Sequence, residues 1–428
     1  MALTNTKYPA HLAGVIRDAW SEHDPPNQET LCPLPPDPYL GALLDMAYQA
    51  GLLREENRPV TFRLFLCEPN DLPLSGPPNG LLPLPLARDR DLSPQEIRRL
   101  APAANFHRSL IGVRWTGEQF RIWGILNSGA RWVNRLDGGR FFGMPLPDGL
   151  VIHVLGPGRM VIYRGSVRLA SLIGGQMEGH GFDMFQAPWI AERFSRFRDQ
   201  IFSKTFGHPP HFPGAEIEPD LVGNLAQNAV RRAIGLVRDA GHGGTLIFTP
   251  DAGERWTSPS SPFGFRHLLA EGTARSRLVT VIGNSLRRIS EVGQVLGKEK
   301  VDWRDYEDFV DGDLADRDEA LLEMAALMAD FMSVDGAMVV TRRLDVMGFG
   351  AEIRVPFADV PTVHRALDLE GIAKREESVE NVGTRHRAVY RLCAVYPDCI
   401  GIVISQDGNV RFVANHEGKV SYWNQLSI

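Results

Sequence analysis

The sequence predicts two domains that both mix helices and strands. The expected fold is an N-terminal α+β domain with antiparallel hairpins, followed by a C-terminal α/β domain with a mixed central sheet flanked by helices. The length of 428 residues exceeds that of one ordinary core. Short apolar segments separated by turn sequences lie between residues 110 and 173, and this arrangement predicts hairpins. After residue 220, helix-like and strand-like segments alternate, which is typical of an α/β domain.

Helices are expected at the beginning of the chain. Apolar residues recur at helical spacing in residues 12–20 and 39–53, and the proline-rich residues 25–38 separate these two segments. Residues 93–100 are a third candidate helix, because Ser93 is a favourable N-cap and a glutamate follows three positions later.

The antiparallel strands of the first domain are expected around two glycine-containing turns, residues 116–119 and 156–159. Residues 69–85 are rich in proline, so we expect an extended connector there instead of a regular element. The expected strands are residues 110–115, 120–126, 150–155, 160–163 and 167–173.

The expected domain boundary is a linker over the proline-rich residues 206–219. It separates a first domain, residues 1–205, from a second domain, residues 220–428. In the second domain, apolar residues at helical spacing predict helices over residues 220–239 and 317–332. The expected strands there are residues 245–249, 337–341, 351–355, 400–405 and 410–414.

The composition argues against some classes of protein. A net charge of −6 leaves no surplus of cations for a general nucleic-acid binder. Cys32, Cys67, Cys393 and Cys399 have neither a CxxC pair nor metal-type spacing, so we expect reduced, buried thiols in a cytoplasmic protein rather than disulfides. We find no signal peptide and no apolar segment long enough to span a bilayer, and we expect no membrane partner.

The first candidate site is Arg385-His386-Arg387. Gly383 permits a sharp turn before it, Thr384 is a favourable N-cap, and the residues that follow have helical spacing. A helix N-terminus offers unpaired N–H groups and partial positive charge, and arginine adds donors that match phosphate oxygens. An isolated triplet of this kind is usually plain surface charge. A bound anion, however, would relieve the unfavourable placement of cations at a helix N-terminus.

The second candidate site is Asp335-Gly336-Ala337, which follows a helix and begins an apolar strand. A carboxylate at such a junction is able to bind a metal, and the two small residues leave room for a ligand beside the backbone. For an isolated tripeptide, an ordinary turn is the commoner explanation.

Together and in this order, the two motifs closely resemble the signatures of the diadenylate cyclase family. Gly350-Ala351 in an intervening strand, and residues 244–248 and 402–406 as core strands, are also similar to that family's pattern. The resemblance extends roughly over residues 220–415. It is strong at the two motifs and faint between residues 250 and 330.

The resemblance implies a nucleotidyltransferase of bacterial signalling that condenses two ATP molecules into the second messenger cyclic di-AMP and releases two pyrophosphates. Each subunit of a dimer would hold one ATP, with two active sites facing each other. The implied cofactor is Mg²⁺ or Mn²⁺, and the implied metal ligands are Asp335 and His386. The implied catalytic residues are Asp335, Arg385, His386 and Arg387, and the implied nucleotide-binding residues are Gly336, Ala337, Thr384 and Ser405.

The first domain is similar in arrangement to sensor-like modules that precede the catalytic domain in some members of that family. We therefore expect residues 1–205 to regulate the cyclase in response to a small molecule or a protein. Three features depart from better-known members. Val334 precedes the aspartate of the Asp335-Gly336-Ala337 motif. The segment between the motifs contains residues 361–381 and is longer and more charged than in compact cyclases. Gln406 stands where some members have glutamate.

Other interpretations stay open. A catalytically silent nucleotide-binding sensor would keep the same motifs, whereas a nucleic-acid-binding cyclase would need a basic helical module that the sequence does not show. Gly156-Pro157-Gly158 lacks the further glycine of a dinucleotide-binding loop, so we expect a hairpin turn. Asp311-Gly312-Asp313 lacks the spacing of a calcium-binding loop, so we expect a solvated helix start.

Overall fold

The computed structural model describes residues 7–22, 33–72, 76–77, 80–129, 146–179, 183–355, 359–380 and 382–425. These residues form two compact units, and the chain passes from the first to the second between residues 179 and 183. The predicted linker, residues 206–219, lies within the second unit. The predicted fold class is confirmed, with antiparallel hairpins in the first unit and a mixed sheet with helices in the second.

The described elements of the first unit are mostly strands. Its helices are α1 (Leu12–Glu22), α2 (Asp37–Leu52) and α3 (Pro94–Leu100). Its strands are β1 (Arg54–Glu55), β2 (Arg58–Pro59), β3 (Phe62–Leu66), β4 (Leu82–Asp91), β5 (Ser109–Trp115), β6 (Phe120–Asn127), β7 (Leu150–Gly156), β8 (Arg159–Arg164), β9 (Val167–Ile173) and β10 (Gln176–Gly179).

One sheet organises the first unit, in the strand order β10-β9-β8-β7-β3-β5-β6-β4. Its neighbouring strands are antiparallel except β3 and β5, which run parallel. The two predicted hairpins are confirmed as the pairs β5–β6 and β7–β8. The turn of the second is the glycine-containing segment 156–158, as expected. Helices α1, α2 and α3 contribute buried apolar residues to the core on this sheet.

Local signals predicted the ends of some elements correctly and misplaced others. Ser93 is the N-cap of α3, and its hydroxyl accepts a hydrogen bond of 3.2 Å from the backbone N–H of Glu96. The expectation of an irregular connector over residues 69–85 is wrong at its C-terminal end. Pro83 and Pro85 belong to β4, which tolerates proline because it is the edge strand of the sheet.

The second unit has helices on both faces of a larger sheet. Its helices are α4 (Pro188–Arg193), α5 (Ser195–Phe206), α6 (Asp220–Ala240), α7 (Arg277–Val295), α8 (Trp303–Asp308), α9 (Gly312–Ser333) and α10 (Thr384–Val395). Its strands are β11 (Glu216–Ile217), β12 (Gly244–Thr249), β13 (Phe263–Leu268), β14 (Lys300–Val301), β15 (Ala337–Thr341), β16 (Val346–Ile353), β17 (Thr362–Ala366), β18 (Lys374–Ser378), β19 (Ile400–Ile404), β20 (Val410–His416) and β21 (Lys419–Gln425).

The described strands of this sheet follow the order β13-β16-β15-β12-β19-β20-β21-β17-β18. The pairs β12–β15 and β17–β21 are parallel, and the other neighbours are antiparallel. One face of the sheet packs on α10 through a core that includes Ile247, Val339, Val389 and Val403. The opposite face packs against α6 and α9. Gly244 of β12 lies so close to Val237 of α6 and Met332 of α9 that a Cβ at Gly244 would be 3.0 Å from an atom of each.

Two predicted elements of the second unit begin earlier than expected. The helix predicted from residue 317 begins at Gly312, because the Asp311 carboxylate accepts a hydrogen bond of 2.9 Å from the N–H of Leu314 and caps it. The strand predicted from residue 351 begins at Val346, where it pairs with β15. Helices α4 and α5 were not predicted from the sequence.

The cysteines that the structure describes, Cys67, Cys393 and Cys399, are buried, and Cys393 and Cys399 are free thiols, as expected. Cys32 lies outside the described residues. Within the described ranges, no helix combines the length and apolar character needed to cross a bilayer.

Candidate functional site

Three central strands bring the two predicted motifs to one end of the second sheet. Strands β12 and β15 run parallel, with Leu246 opposite Met338, so both begin at this end. Strand β19 runs antiparallel to β12, with Ile404 opposite Gly244, and therefore ends there. Helix α10 precedes β19 and runs back along it, so the N-terminus of α10 lies at this end too. The backbone register thus gathers Asp335, Ser405 and the arginine-rich helix start in one region.

Asp335 lies in the short connection between α9 and β15. Its side chain is 79% exposed, and its carboxylate is 3.6 Å from the guanidinium of Arg266, whose side chain is 62% exposed. An ion pair so open to solvent contributes little to stability. The carboxylate is therefore free to bind a ligand at small energetic cost.

Gly336 lies close against the backbone of the neighbouring strand. Its φ is +116°, and a Cβ at this position would lie 2.6 Å from the carbonyl carbon of Gly350. The backbone of β16 therefore occupies the space that a side chain would need. Ala337 follows as a buried residue paired with Ala351. Gly336 and Ala337 thus hold Asp335 at the beginning of a rigid strand.

The N-terminus of α10 carries the second motif. Gly383 is the N-cap residue and Thr384 is the first helical residue, so the predicted cap at Thr384 is wrong by one position. The structure shows no side-chain hydrogen bond that caps this end. Thr384 and Arg387 are exposed, whereas Arg385 is half-buried. The exposed helix end keeps the unpaired N–H groups and partial positive charge that attract anions.

Arg385 connects α10 to the beginning of β12. Its Nη1 donates a hydrogen bond of 3.4 Å to the backbone oxygen of His242. A Cβ at Gly243 would lie 2.7 Å from the same Nη1, so the absence of a side chain at Gly243 makes room for the guanidinium. The φ of Gly243 is +66°, which also favours glycine.

His386 has an unusual environment for a histidine. The ring is half-buried, and its Nε2 is buried without a hydrogen-bond partner in the described part of the chain. Burial, with the positive charges of Arg411 and Arg385, lowers the pKa of His386 to about 4. The imidazole is therefore neutral at physiological pH. A buried polar atom without a partner costs free energy that a hydrogen bond would recover.

A polar network lies behind His386. Arg411 donates from Nη1 to the hydroxyl of Tyr390 at 3.3 Å, and its guanidinium carbon is 4.6 Å from the ring centroid of Tyr422. The Tyr422 hydroxyl hydrogen bonds to Glu377 of β18. Burial raises the pKa of Tyr390 and of Tyr422, so both phenols stay protonated. Glu377, which belongs to the charged segment 361–381, thus contacts the ring that packs against Arg411.

Ser405 follows the last residue of β19 and begins the turn to β20. Its hydroxyl accepts a hydrogen bond of 3.0 Å from the N–H of Asn409, and its backbone N–H donates to the oxygen of Asn409 at 2.8 Å. Ser405 therefore closes this turn. It lies beside Gly243, since the backbone N of Gln406 is 3.1 Å from a Cβ built there.

In the described residues, no group of three or more histidine, cysteine, aspartate or glutamate side chains has the geometry of a metal centre. Asp335 nevertheless suits a hard cation, because it offers exposed carboxylate oxygens. Magnesium commonly takes one or two carboxylates from the protein and its other ligands from water and substrate phosphates. The cations beside His386 make that ring a less suitable metal ligand.

A comparison with known protein families finds a match for part of the first unit. Residues 29–127 match the family described as "Probable sensor domain DACNV". No curated protein and no solved structure matches the chain. The DACNV match covers under a quarter of the chain and lies in its N-terminal half. It agrees with the expected sensor-like module and associates the chain with diadenylate cyclases.

Sequence reasoning missed three residues of the candidate site. Arg266 is the ion-pair partner of Asp335, Gly243 accommodates Arg385, and Arg411 lies behind His386. Gly243 was recognisable as half of a glycine pair before a strand. Arg266 and Arg411 had no such signal, because each is a single charged residue within a strand.

Proposed function

We propose that the chain is a diadenylate cyclase that joins two ATP molecules into cyclic di-AMP and is regulated by its N-terminal unit. The observation that carries the proposal is the common location of Asp335 and the start of α10 at one end of the sheet. A carboxylate able to bind a metal there lies in the same region as an anion-binding helix N-terminus. The DACNV match supports the regulatory part.

The triphosphate of ATP would bind at the start of α10. The exposed N–H groups and Arg387 provide donors toward solvent, and Thr384 adds a hydroxyl. Arg385 is already oriented by the His242 carbonyl, so little side-chain entropy is lost when it also contacts a phosphate. His386 is neutral and surrounded by cations, so we assign it to a phosphate oxygen in preference to the metal.

Asp335 would hold the divalent cation, Mg²⁺ or Mn²⁺. The cation neutralises charge on the phosphates and lowers the pKa of a nearby hydroxyl. Arg266 pairs with Asp335 at 3.6 Å and would be displaced or shared on binding. Gly336 and Ala337 would hold Asp335 in position beside the nucleotide, and Ser405 would lie at the rim of the nucleotide site.

In each half-reaction, the 3′-oxygen of one ATP forms a bond to the α-phosphorus of the other. The bond between that phosphorus and the bridging oxygen of pyrophosphate breaks, and the 3′-hydroxyl proton is lost. Two such steps give one cyclic di-AMP and two pyrophosphates. Because each site contributes one nucleotide to a symmetric product, we propose that two copies of this chain face each other.

The decisive experiment measures cyclic di-AMP by mass spectrometry after incubation of the full chain with ATP and Mg²⁺ or Mn²⁺. Asp335→Asn should lower turnover by at least about 100-fold. The same substitution should change the free energy of unfolding by no more than about 0.5 kcal/mol, because the Asp335 side chain is exposed. Asp330→Asn is a matched control, since Asp330 is an exposed carboxylate one turn before the end of α9.

The controls decide between cyclase and silent sensor. Product from the wild type and from Asp330→Asn, with almost none from Asp335→Asn, supports the proposal. Saturable ATP binding without product under either metal would instead identify a catalytically silent nucleotide-binding sensor. A strictly monomeric but active protein would contradict the facing-sites arrangement.

A further inference from the structure

The second unit contains an apolar cavity that the proposed cyclase chemistry does not use. It has a volume of about 90 Å³ and lies between α4 and α5 on one side and α6 with strands β12, β19 and β20 on the other. Its lining includes the phenylalanines Phe185, Phe194, Phe197, Phe248 and Phe412. All of its lining residues belong to the second unit.

The phenylalanine rings make the cavity suitable for an aromatic guest. Phe194 meets Phe248 edge-to-face with centroids 5.3 Å apart, and Phe185 meets Phe412 in the same way at 5.3 Å. A further ring would extend such edge-to-face packing. The volume is well below the roughly 300 Å³ of an ordinary small-molecule pocket, so a nucleotide does not fit.

Arg198 supplies a polar anchor at the cavity. It lies in the lining, and its Nη1 donates a hydrogen bond of 2.9 Å to Asp220, whose side chain is 76% exposed. Its Nε has no hydrogen-bond partner in the described ranges. A guanidinium has five N–H donors, so this arginine keeps unused capacity for a carboxylate.

Gly223 and Ala226 of α6 leave the cavity open on its helical side. Both line it, and a Cβ built at Gly223 has no atom within 4 Å. Larger residues at either position would fill the space. The chain therefore offers a direct way to close the cavity without touching the candidate active site.

We propose that this cavity binds a small aromatic carboxylic acid, with the ring among the phenylalanines and the carboxylate paired with Arg198. The site goes beyond the proposed cyclase function and does not depend on it. Helices α4 and α5 would form its cover.

Ligand-observed NMR titration of the full chain tests the proposal with benzoate and with benzyl alcohol, a neutral molecule of similar size. Saturable benzoate binding is expected with a Kd of about 0.1–1 mM, as for other ligands of few atoms. Ala226→Leu should weaken binding of both probes more than about tenfold by filling the cavity. Ala240→Leu, the same change at an exposed position near the end of α6, should leave both affinities within about twofold.

The anchor is tested separately. Arg198→Met should weaken benzoate about tenfold and leave benzyl alcohol within about twofold, whereas Arg196→Met on the same helix should change neither. If Ala226→Leu fails to fold, Gly223→Ala replaces it and should weaken both probes about threefold. Absence of saturable binding to the wild type, or unchanged binding after the cavity is filled, overturns the site. Equal effects of Arg198→Met on the two probes overturn the carboxylate pairing.

Discussion

Replacing Gly336 with alanine tests the backbone contact that fixes the beginning of β15. The new Cβ would lie 2.6 Å from the carbonyl carbon of Gly350 and 2.9 Å from the backbone N of Ala351. Both atoms are backbone, so a strand must move to relieve the contact. Side-chain-bearing residues rarely adopt a φ of +116°, and the strain costs about 1–3 kcal/mol. Overpacking adds about 1–3 kcal/mol.

The expected loss of about 2–6 kcal/mol lowers the unfolding midpoint of the second unit by at least about 4 °C. Calorimetry of the full chain measures it, because the two units are able to give separate transitions. Gly383→Ala is the matched control in the other motif. Gly383 has a φ of −59°, and a Cβ there meets nothing within 4 Å. Midpoints of the two variants within about 1 °C of each other would refute the steric argument.

Three further predictions concern the same unit. Because the pKa of His386 is lowered to about 4, the unfolded chain takes up the proton first as the pH falls below about 6.5. The free energy of unfolding should therefore fall by up to about 3 kcal/mol between pH 6.5 and pH 4, and by less in His386→Gln, as measured by urea denaturation. An equal fall in both proteins would contradict the lowered pKa. Gly223→Ala should raise the thermal midpoint, because alanine is favoured in a helix by about 1 kcal/mol and its methyl group enters open space; a lower midpoint would show that the space is occupied. Burial raises the pKa of Cys399 to about 12 and that of Cys393 as well. Iodoacetamide at pH 8 should label both only after denaturation, and rapid labelling of the native protein, detected by mass spectrometry, would show that these thiols are accessible.

Local sequence patterns predicted element types well where the signal is short-range. The cap at Ser93 and the two glycine turns depend on neighbouring residues only, and the structure confirms them. The parallel pairing of β3 with β5 joins segments more than forty residues apart and had no local signal. Helices α4 and α5 were missed because α4 has six residues and α5 mixes its apolar positions with charged ones.

For the candidate site too, local sequence patterns identified residues but not their arrangement in space. Asp335 and residues 385–387 were recognisable from their identity and order in the sequence. Their common location follows from the register of β12, β15 and β19, which spacing along the chain does not encode. The lowered pKa of His386 depends on burial of the ring and on Arg411, which lies on strand β20. The cap at Thr384 was misplaced because Gly383 satisfies the backbone geometry of that turn.

The position of α4 and α5 decides where the chain can be shortened. The Trp189 indole donates to the oxygen of Leu369 at 3.1 Å, and Arg193 donates to the oxygen of Asn415 at 2.7 Å, so these helices are fastened to the second sheet. A protein that starts near Pro219 would lose them and leave Phe248 and Phe412 open to water. Such a surface promotes aggregation. Because that deletion removes these helices together with the first unit, its effect would not isolate the role of the first unit, so a fragment that contains only the second unit should begin at Asp183.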